Sequence, residues 1–254
     1  MGNINPFAII IGIGAAVGLW RVYEGLIPEQ RIRGLFTAIW VLCGSLLGAR
    51  LGYVFFNLNY YSLHRGEILK IWAGGVNGFG ALVGAVIFTI LAALVFHLGN
   101  LRTLDLMTGM LLPISVAGWL GCWAVGAAYG QSLEPGTWWG LRMLDDSGVT
   151  GLRVPLQPAA AVSLIIFLLL VERLTHHQAQ GIPFAASGLV FSLLALLFSF
   201  MRADPIQTLW NLRLDSILSI ILSFACTILL GFLVWRKRKK DKMKRQERID
   251  ETTA

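Results

Sequence analysis

The sequence predicts an all-α, polytopic integral membrane protein of about seven transmembrane helices, with a loop cap on the periplasmic side. Three observations lead there. Of 254 residues, 56% are hydrophobic and 14% are charged, where an ordinary soluble chain carries about 25% charged residues. Mean hydropathy is +0.68. Apolar stretches recur along the whole chain, and about 20 mainly apolar residues cross a bilayer as one helix. That length holds six or seven crossings with short loops and leaves no room for a separate soluble domain.

Seven apolar segments run near 6–20, 34–56, 72–98, 105–129, 157–172, 183–201 and 213–235. The first has no basic region ahead of it, so a retained helix is expected there and not a cleaved signal peptide. The first and fifth are short, and amphipathic neighbours must extend them or they must cross at an unusual tilt. Trp20, Trp72, Trp210 and Trp235 stand at span ends, where interfacial aromatics are favoured. Small residues repeat at helix-packing spacing in Gly14-xxx-Gly18, Gly44-xxx-Gly48-xxx-Gly52, Gly80-xxx-Gly84 and Gly126-xxx-Gly130. Segment 74–84 holds five glycines in eleven residues, which weakens a helix. A cavity or re-entrant element is expected there, because irregular backbone at membrane depth must be buried in protein or line a polar cavity. The longest loop, 131–156, carries Trp138-Trp139-Gly140 and Asp145-Asp146-Ser147-Gly148 and reads as a folded cap. The chain thus divides into one transmembrane domain, 1–235, and a basic tail, 236–254.

Formal net charge is +7, and nine Lys/Arg fall between Arg236 and Arg248. Placed directly after an apolar span, they read as a cytoplasmic stop signal with weak attraction to anionic headgroups, in preference to a nucleic-acid patch. A cytoplasmic tail after seven spans puts the N-terminus outside. The remaining loops carry five cations on one side and six on the other, so the tail alone sets this orientation.

With that orientation, polar or glycine-rich parts of five segments share the outer leaflet: Arg50, Asn77, Gly118 to Gly130, Arg202 and Asp215. Ionisable groups inside a membrane are costly and mark function. Two arginines without matching intramembrane acids suggest an anionic ligand, since guanidinium binds phosphate through paired donors and stays charged when buried. A phospholipid headgroup is the economical candidate. The competing reading has Arg50 snorkelling or pairing with Asp215, and Arg202 merely marking the interface. A proton or ion relay fits worse, because His64, His97, His176 and His177 fall in loops or at span ends. Cys43, Cys122 and Cys226 lie inside apolar spans as packing residues, with no disulfide framework or metal spacing. No P-loop, HExxH or GxSxG motif is present, and neither metal nor cofactor is expected.

At these residues the sequence resembles the bacterial prolipoprotein diacylglyceryl transferase family, from about Gly44 to Leu230. Gly48-Ala-Arg-Leu-Gly-Tyr53 is similar to the family's G-[GA]-R-[IL]-G-Y stretch. Trp72-Ala-Gly-Gly-Val-Asn-Gly-Phe-Gly-Ala81 resembles W-D-G-G-M-S-F-H-G-G. Gly118-Trp-Leu-Gly-Cys-Trp-Ala-Val-Gly-Ala-Ala-Tyr-Gly130 follows G-R-[IL]-G-N-F-[IL]-N-G-E-x-[WY]-G without a gap. Arg153-Val-Pro-Leu-Gln157 is similar to R-H-P-[ST]-Q, and Phe200-Met-Arg202 to F-x-R.

The resemblance implies a multi-pass protein of the bacterial inner membrane. The family moves a diacylglyceryl group from phosphatidylglycerol to the cysteine thiol of a prolipoprotein signal peptide, releasing glycerol phosphate. A thiol near its ordinary pKa of about 8.5 must lose its proton, and the departing phosphate needs positive charge. In this chain Phe79 stands at the motif His and Trp119 at the signature Arg. Cys122 and Val125 replace the two Asn, Ala127 the Glu and Val154 the later His. No catalytic residue is assigned, because Phe and Trp neither accept a proton nor neutralise phosphate. The resemblance leaves Arg50, Tyr53, Tyr129, Gln157 and Arg202, and with Asn77 from the polar clustering they form the expected headgroup-binding set, on a frame of Gly74, Gly75, Gly126 and Gly130. The expectation is phospholipid binding with the family catalysis lost or altered. Alternatives are a divergent transferase that uses Asp204 or Asp215, a non-catalytic partner or regulator, and a lipid transporter.

Overall fold

In a computed structural model, residues 5–71, 74–96, 99–145, 147–205 and 208–253 are described. Helix α1 spans Pro6–Glu24, capped by the Asn5 side chain, which accepts the Phe7 N–H at 3.0 Å. Helix α2 spans Pro28–Phe56, and a short α3 follows at Leu58–Leu63 with a 3₁₀ turn at Arg65–Glu67. Then come α4 (Gly78–Val95), α5 (Asn100–Thr108) and α6 (Leu111–Ala124). A hairpin of β1 (Leu141–Leu144) and β2 (Thr150–Arg153) precedes α7 (Leu156–Thr175) and α8 (Ile182–Ser199). A second hairpin, β3 (Thr208–Leu209) and β4 (Leu212–Arg213), leads straight into α9 (Leu214–Thr253).

Six helices among the described residues are long and apolar enough to cross a membrane, and the count is seven if the α5–α6 pair, bent by 42°, is one broken span and not a re-entrant element. The chain is a polytopic membrane protein. The bend has a local cause: Pro113 has no N–H to return to Gly109, and its ring crowds that carbonyl. The two segments expected to be short are extended as required, α1 to Glu24 and α7 to Thr175. The α1 extension is tied to the end of α7, Arg21 Nη2 donating to Glu172 Oε2 at 2.5 Å. The third span begins at Gly78 and not at 72, because residues 74–77 are irregular. Trp72 and His97 lie outside the described residues. Helix α9 continues through the basic tail without a break, as far as Thr253.

The glycine spacings on α2 and α4 face one another. A Cβ on Gly80 would stand 2.5 Å from the Gly48 carbonyl oxygen, and one on Gly52 would stand 2.9 Å from Gly80 Cα. Only hydrogen side chains allow this approach, so the two backbones pack directly. Gly14 and Gly18 do the same for α1 against Pro113, Ala117 and Met110 of the bent α5–α6 segment. Gly126-xxx-Gly130 is different, and the helix-packing expectation is corrected there. Helix α6 ends at Ala124, and Gly126 has φ 69°, a left-handed conformation that an L side chain strains to adopt.

Large apolar side chains such as Ile13, Ile32, Val83, Ile166 and Phe224 point outward without cover, as a lipid-facing surface requires. At one end of the bundle, Trp20 and Trp235 are exposed; at the other, Trp138 and Trp210 stand out from the loops. These ends are called the tail end and the hairpin end. At the tail end the Asp105 carboxylate caps α8, accepting the N–H groups of Gly181 at 2.6 Å and Phe184 at 3.0 Å.

The expected cap at 131–156 is a twisted hairpin with Leu141 opposite Arg153 and Leu144 opposite Thr150. Its turn closes on Asp145. One carboxylate oxygen accepts from Ser147 Oγ at 2.7 Å and from the N–H groups of Ser147 and Val149 at 3.1 and 2.8 Å. The other accepts from Arg153 Nη2 at 2.8 Å. The Ser147 hydroxyl, the Val149 and Ser147 N–H groups and the Arg153 charge hold this carboxyl below its usual range, against a smaller opposing effect of burial. A lowered pKa stabilises the fold above the unfolded value of about 3.9 and loses that contribution as pH falls through the folded value. Amide protection factors over residues 141–153, each taken against the intrinsic rate at the same pH, should therefore hold at neutral pH and fall below about pH 4. Asp145→Asn should show the reduced protection already at pH 7.

Candidate functional site

Helix α2 delivers Arg50 and Tyr53, three residues apart and so on one face, to the chain between α3 and α4. Arg50 is 1% exposed. Its Nε donates to the Ile68 carbonyl at 2.8 Å and its Nη2 to the Glu67 carbonyl at 2.7 Å. Nη1 donates to the carbonyls of Gly74 and, at 3.0 Å, Gly75. The guanidinium carbon lies 5.3 Å from the Tyr61 ring centre and 6.0 Å from that of Tyr53, within cation–π range. Gly74 and Gly75 have φ of 84° and 76°, and a Cβ on Gly75 would overlap the Tyr53 ring. Asn77 closes the unit: its N–H donates to the Ala49 carbonyl at 2.9 Å, and its side-chain oxygen caps α4 at Gly80 N, 2.8 Å away. Arg50 therefore neither snorkels nor pairs with Asp215. It is a clamp on four carbonyls, and the irregular glycine segment is satisfied by protein.

A second unit forms beyond α6. Gly126 and Ala128, both at positive φ, turn the chain so that the Ala127 carbonyl accepts Gln157 Nε2 at 2.9 Å. Gln157 is 0% exposed, and its Oε1 has no hydrogen-bond partner among the described residues. The Tyr129 carbonyl accepts the Ala203 N–H at 2.9 Å, and Gly130 pairs with Arg202 as an antiparallel bridge. The Tyr129 ring lies 4.5 Å from the Arg153 guanidinium carbon. A Cβ on Gly130 would come within 2.5 Å of the Val154 carbonyl. These residues fix the strand that bears Arg202.

Arg202 is not without acids, and the expectation that it lacks them is corrected. Its Nε and Nη2 reach the two oxygens of Asp204 at 2.8 and 2.5 Å, and its Nη1 reaches Asp215 at 2.7 Å. Arg213 joins through Asp204 Oδ1 at 3.1 Å and the Asp204 carbonyl at 2.9 Å. Arg202-x-Asp204 and Arg213-x-Asp215 were visible as charge pairs in sequence, but their cross-pairing needed the hairpin between them.

Arg202 and Asp215 form the polar end of a cavity of about 150 Å³. Its walls are Gly78 and Phe79 from α4, Trp119 from α6, Leu164 from α7, and Phe191, Leu194, Ala195 and Phe198 from α8. Trp119 meets Phe198 edge-on, with ring centres 6.0 Å apart. Of the six expected headgroup residues, only Arg202 lines this space. Arg50, Tyr53 and Asn77 sit in the first unit, and Tyr129 and Gln157 in the second. The α8 wall gave no sequence signal beyond its apolarity.

The clamp has a measurable consequence. Arg50→Ala leaves carbonyls at Glu67, Ile68, Gly74 and Gly75 without donors, at about 1–3 kcal/mol for each that stays unsatisfied. A stability loss on the order of 3 kcal/mol is expected in a denaturation series. Arg50→Lys should recover only part, since an ammonium lacks the planar fork.

A family model described as prolipoprotein diacylglyceryl transferase matches residues 2–235. The chain is similar to the phosphatidylglycerol–prolipoprotein diacylglyceryl transferase of Bacillus velezensis, 26% identical over 244 residues, covering 91% of this chain and 88% of that protein. That of Lactiplantibacillus plantarum is 27% identical over 259 residues, covering 93% and 91%. That of Roseobacter denitrificans is 29% identical over 202 residues, covering 76% and 67%. The family match runs from ahead of α1 into α9, through every candidate membrane span and both site units, and the chain belongs to the prolipoprotein diacylglyceryl transferase family.

Proposed function

We propose that this chain is a phospholipid-binding member of the family in which diacylglyceryl transfer by the ordinary chemistry is lost or altered. The observation that carries this reading is the cavity lining. Phe79 and Trp119, which on the motif resemblance stand where the family has His and Arg, both line the cavity beside Arg202. Transfer to a thiol needs a proton acceptor, and a leaving phosphate needs a cation. One positioned base contributes typically 100- to 10,000-fold, and one charge-stabilising donor about 100- to 1,000-fold. Neither Phe79 nor Trp119 can supply these effects. The aromatic walls suit an acyl chain, and the Arg202 end suits a headgroup. The relatives' names give phosphatidylglycerol and prolipoprotein as their substrates, and a prolipoprotein signal peptide is the protein partner this reading would retain.

A second reading, a divergent transferase, is favoured by one observation: Asp215 places a carboxylate on the same cavity. The two readings separate in one assay. Purified protein is incubated with phosphatidylglycerol vesicles and a lipobox cysteine peptide, and the peptide is analysed by mass spectrometry. No thioether-linked lipid is expected. The protein itself should carry phospholipid through purification, and Arg202→Ala should reduce it about tenfold or more, given the weight of a charge-assisted contact. A diacylglyceryl peptide formed in an Arg202-dependent manner would sink the first reading and establish the second.

The orientation belongs to the same proposal. The hairpin end lies outside and the basic α9 tail inside the cell, in keeping with nine cations that follow one apolar span. A fluorescent reporter that matures only in the cytoplasm should light up when fused after α9 and stay dark when fused before α1. The reverse pattern would invert the topology.

A further inference from the structure

The polar end of the cavity is charge-balanced. Two guanidinium groups, Arg202 and Arg213, face two carboxylates, Asp204 and Asp215, in one connected network. Among the described residues, an anionic headgroup entering this end meets no cation without a carboxylate partner. To hold a phosphate, Arg202 must release a carboxylate, and the released group stays in a site where the Asp215 side chain is only 12% exposed. Breaking one side of a buried pair costs more than the pair itself contributes.

The two carboxylates are not equally held. Asp204 takes two hydrogen bonds from Arg202 and a third from Arg213, while Arg213 also holds its backbone carbonyl. Asp215 takes one guanidinium hydrogen bond among the described residues, from Arg202 Nη1. Asp215 is thus the partner that a ligand can exchange, and both it and Arg202 line the cavity. A ligand carrying an ammonium next to its phosphate leaves no charge stranded. Its phosphate replaces Asp215 on Arg202, and its ammonium replaces Arg202 on Asp215.

We infer that this seat selects a zwitterionic aminoalkyl phosphate headgroup over an anionic one, with Arg202 and Asp215 as its two poles. The inference rests on the lipid-binding reading above and names the lipid class. A primary ammonium is favoured over a quaternary one, because only the former has N–H groups to give a carboxylate. The headgroup arrives as a lipid, since the space beyond the two poles is walled by Phe79, Trp119, Phe191 and Phe198 and suits an acyl chain.

The test uses the full chain in nanodiscs of equimolar dioleoyl phosphatidylethanolamine, phosphatidylglycerol and phosphatidylcholine. Lipid retained after transfer to detergent is counted by native mass spectrometry. The expected result is phosphatidylethanolamine retained about tenfold over each of the others. Asp215→Asn frees an Arg202 donor and removes the ammonium partner, so retention should swing to phosphatidylglycerol, while Asp215→Glu should keep the original order. Thermal midpoints report folding; if the Asn variant does not fold, the lipid ratios of the unmodified chain and the Glu variant still decide. Phosphatidylglycerol retained as well as or better than phosphatidylethanolamine by the unmodified chain would overturn the selectivity and leave lipid binding intact. Displacement of the lipid by equimolar glycerophosphoethanolamine would overturn the need for acyl chains. No retained phospholipid of any class would overturn lipid binding itself, and the selectivity with it.

Discussion

Short α3 ends at Leu63, and the next α-helix, α4, starts only at Gly78. In a bilayer such a stretch must satisfy its own backbone, because lipid offers no hydrogen-bond partners. Arg50 meets that demand from a neighbouring helix, holding the carbonyls of Glu67, Ile68, Gly74 and Gly75. The charge on Arg50 is spread over carbonyl dipoles in place of a counter-ion. The tight α2–α4 contact makes this reach available, since Gly48, Gly52, Gly80 and Gly84 let the two backbones touch.

The rest of the site follows from where this clamp leaves α4. Asn77 can cap the helix only because the clamped segment delivers it beside Ala49. With that start fixed, Phe79 faces the cavity one residue beyond Gly78. On the opposite side, Gln157 and the Gly130–Arg202 bridge hold the strand that carries Arg202 to the same space. Two frames, each built from backbone groups satisfied by buried side chains, thus meet across one pocket.

The residues that resemble the family motifs therefore divide by task. Arg50 and Gln157 donate to backbone carbonyls, Tyr53 packs against Gly75, and the Tyr129 ring lies against Arg153. Phe79 and Trp119 line the cavity, Trp119 edge-on to Phe198. On the proposed reading this is how a scaffold persists while its chemistry changes. The doubly paired Arg202 adds a second difference, because its charge is already balanced by Asp204 and Asp215.

Hydropathy and length by themselves determined the polytopic class and its six or seven candidate spans, because each helix must present about 20 apolar residues to lipid whatever its neighbours are. Glycine spacing on α2 and α4 was equally legible, since close approach requires small residues on one face. The same spacing at Gly126 and Gly130 misled, because four-residue intervals do not reveal that α6 stops at Ala124. The sequence also drew Arg50 and Arg202 into one expected headgroup set. Only the tertiary structure decided that Arg50 is saturated by carbonyls and that Arg202 is paired with Asp204 and Asp215. The reason is physical: the task of a buried charge is set by whichever groups the fold brings within about 3 Å of it. Those groups come from loops and hairpins whose paths no periodicity encodes. The polytopic bundle was thus written in composition, while the charge-neutral end of its cavity was written in contacts between distant segments.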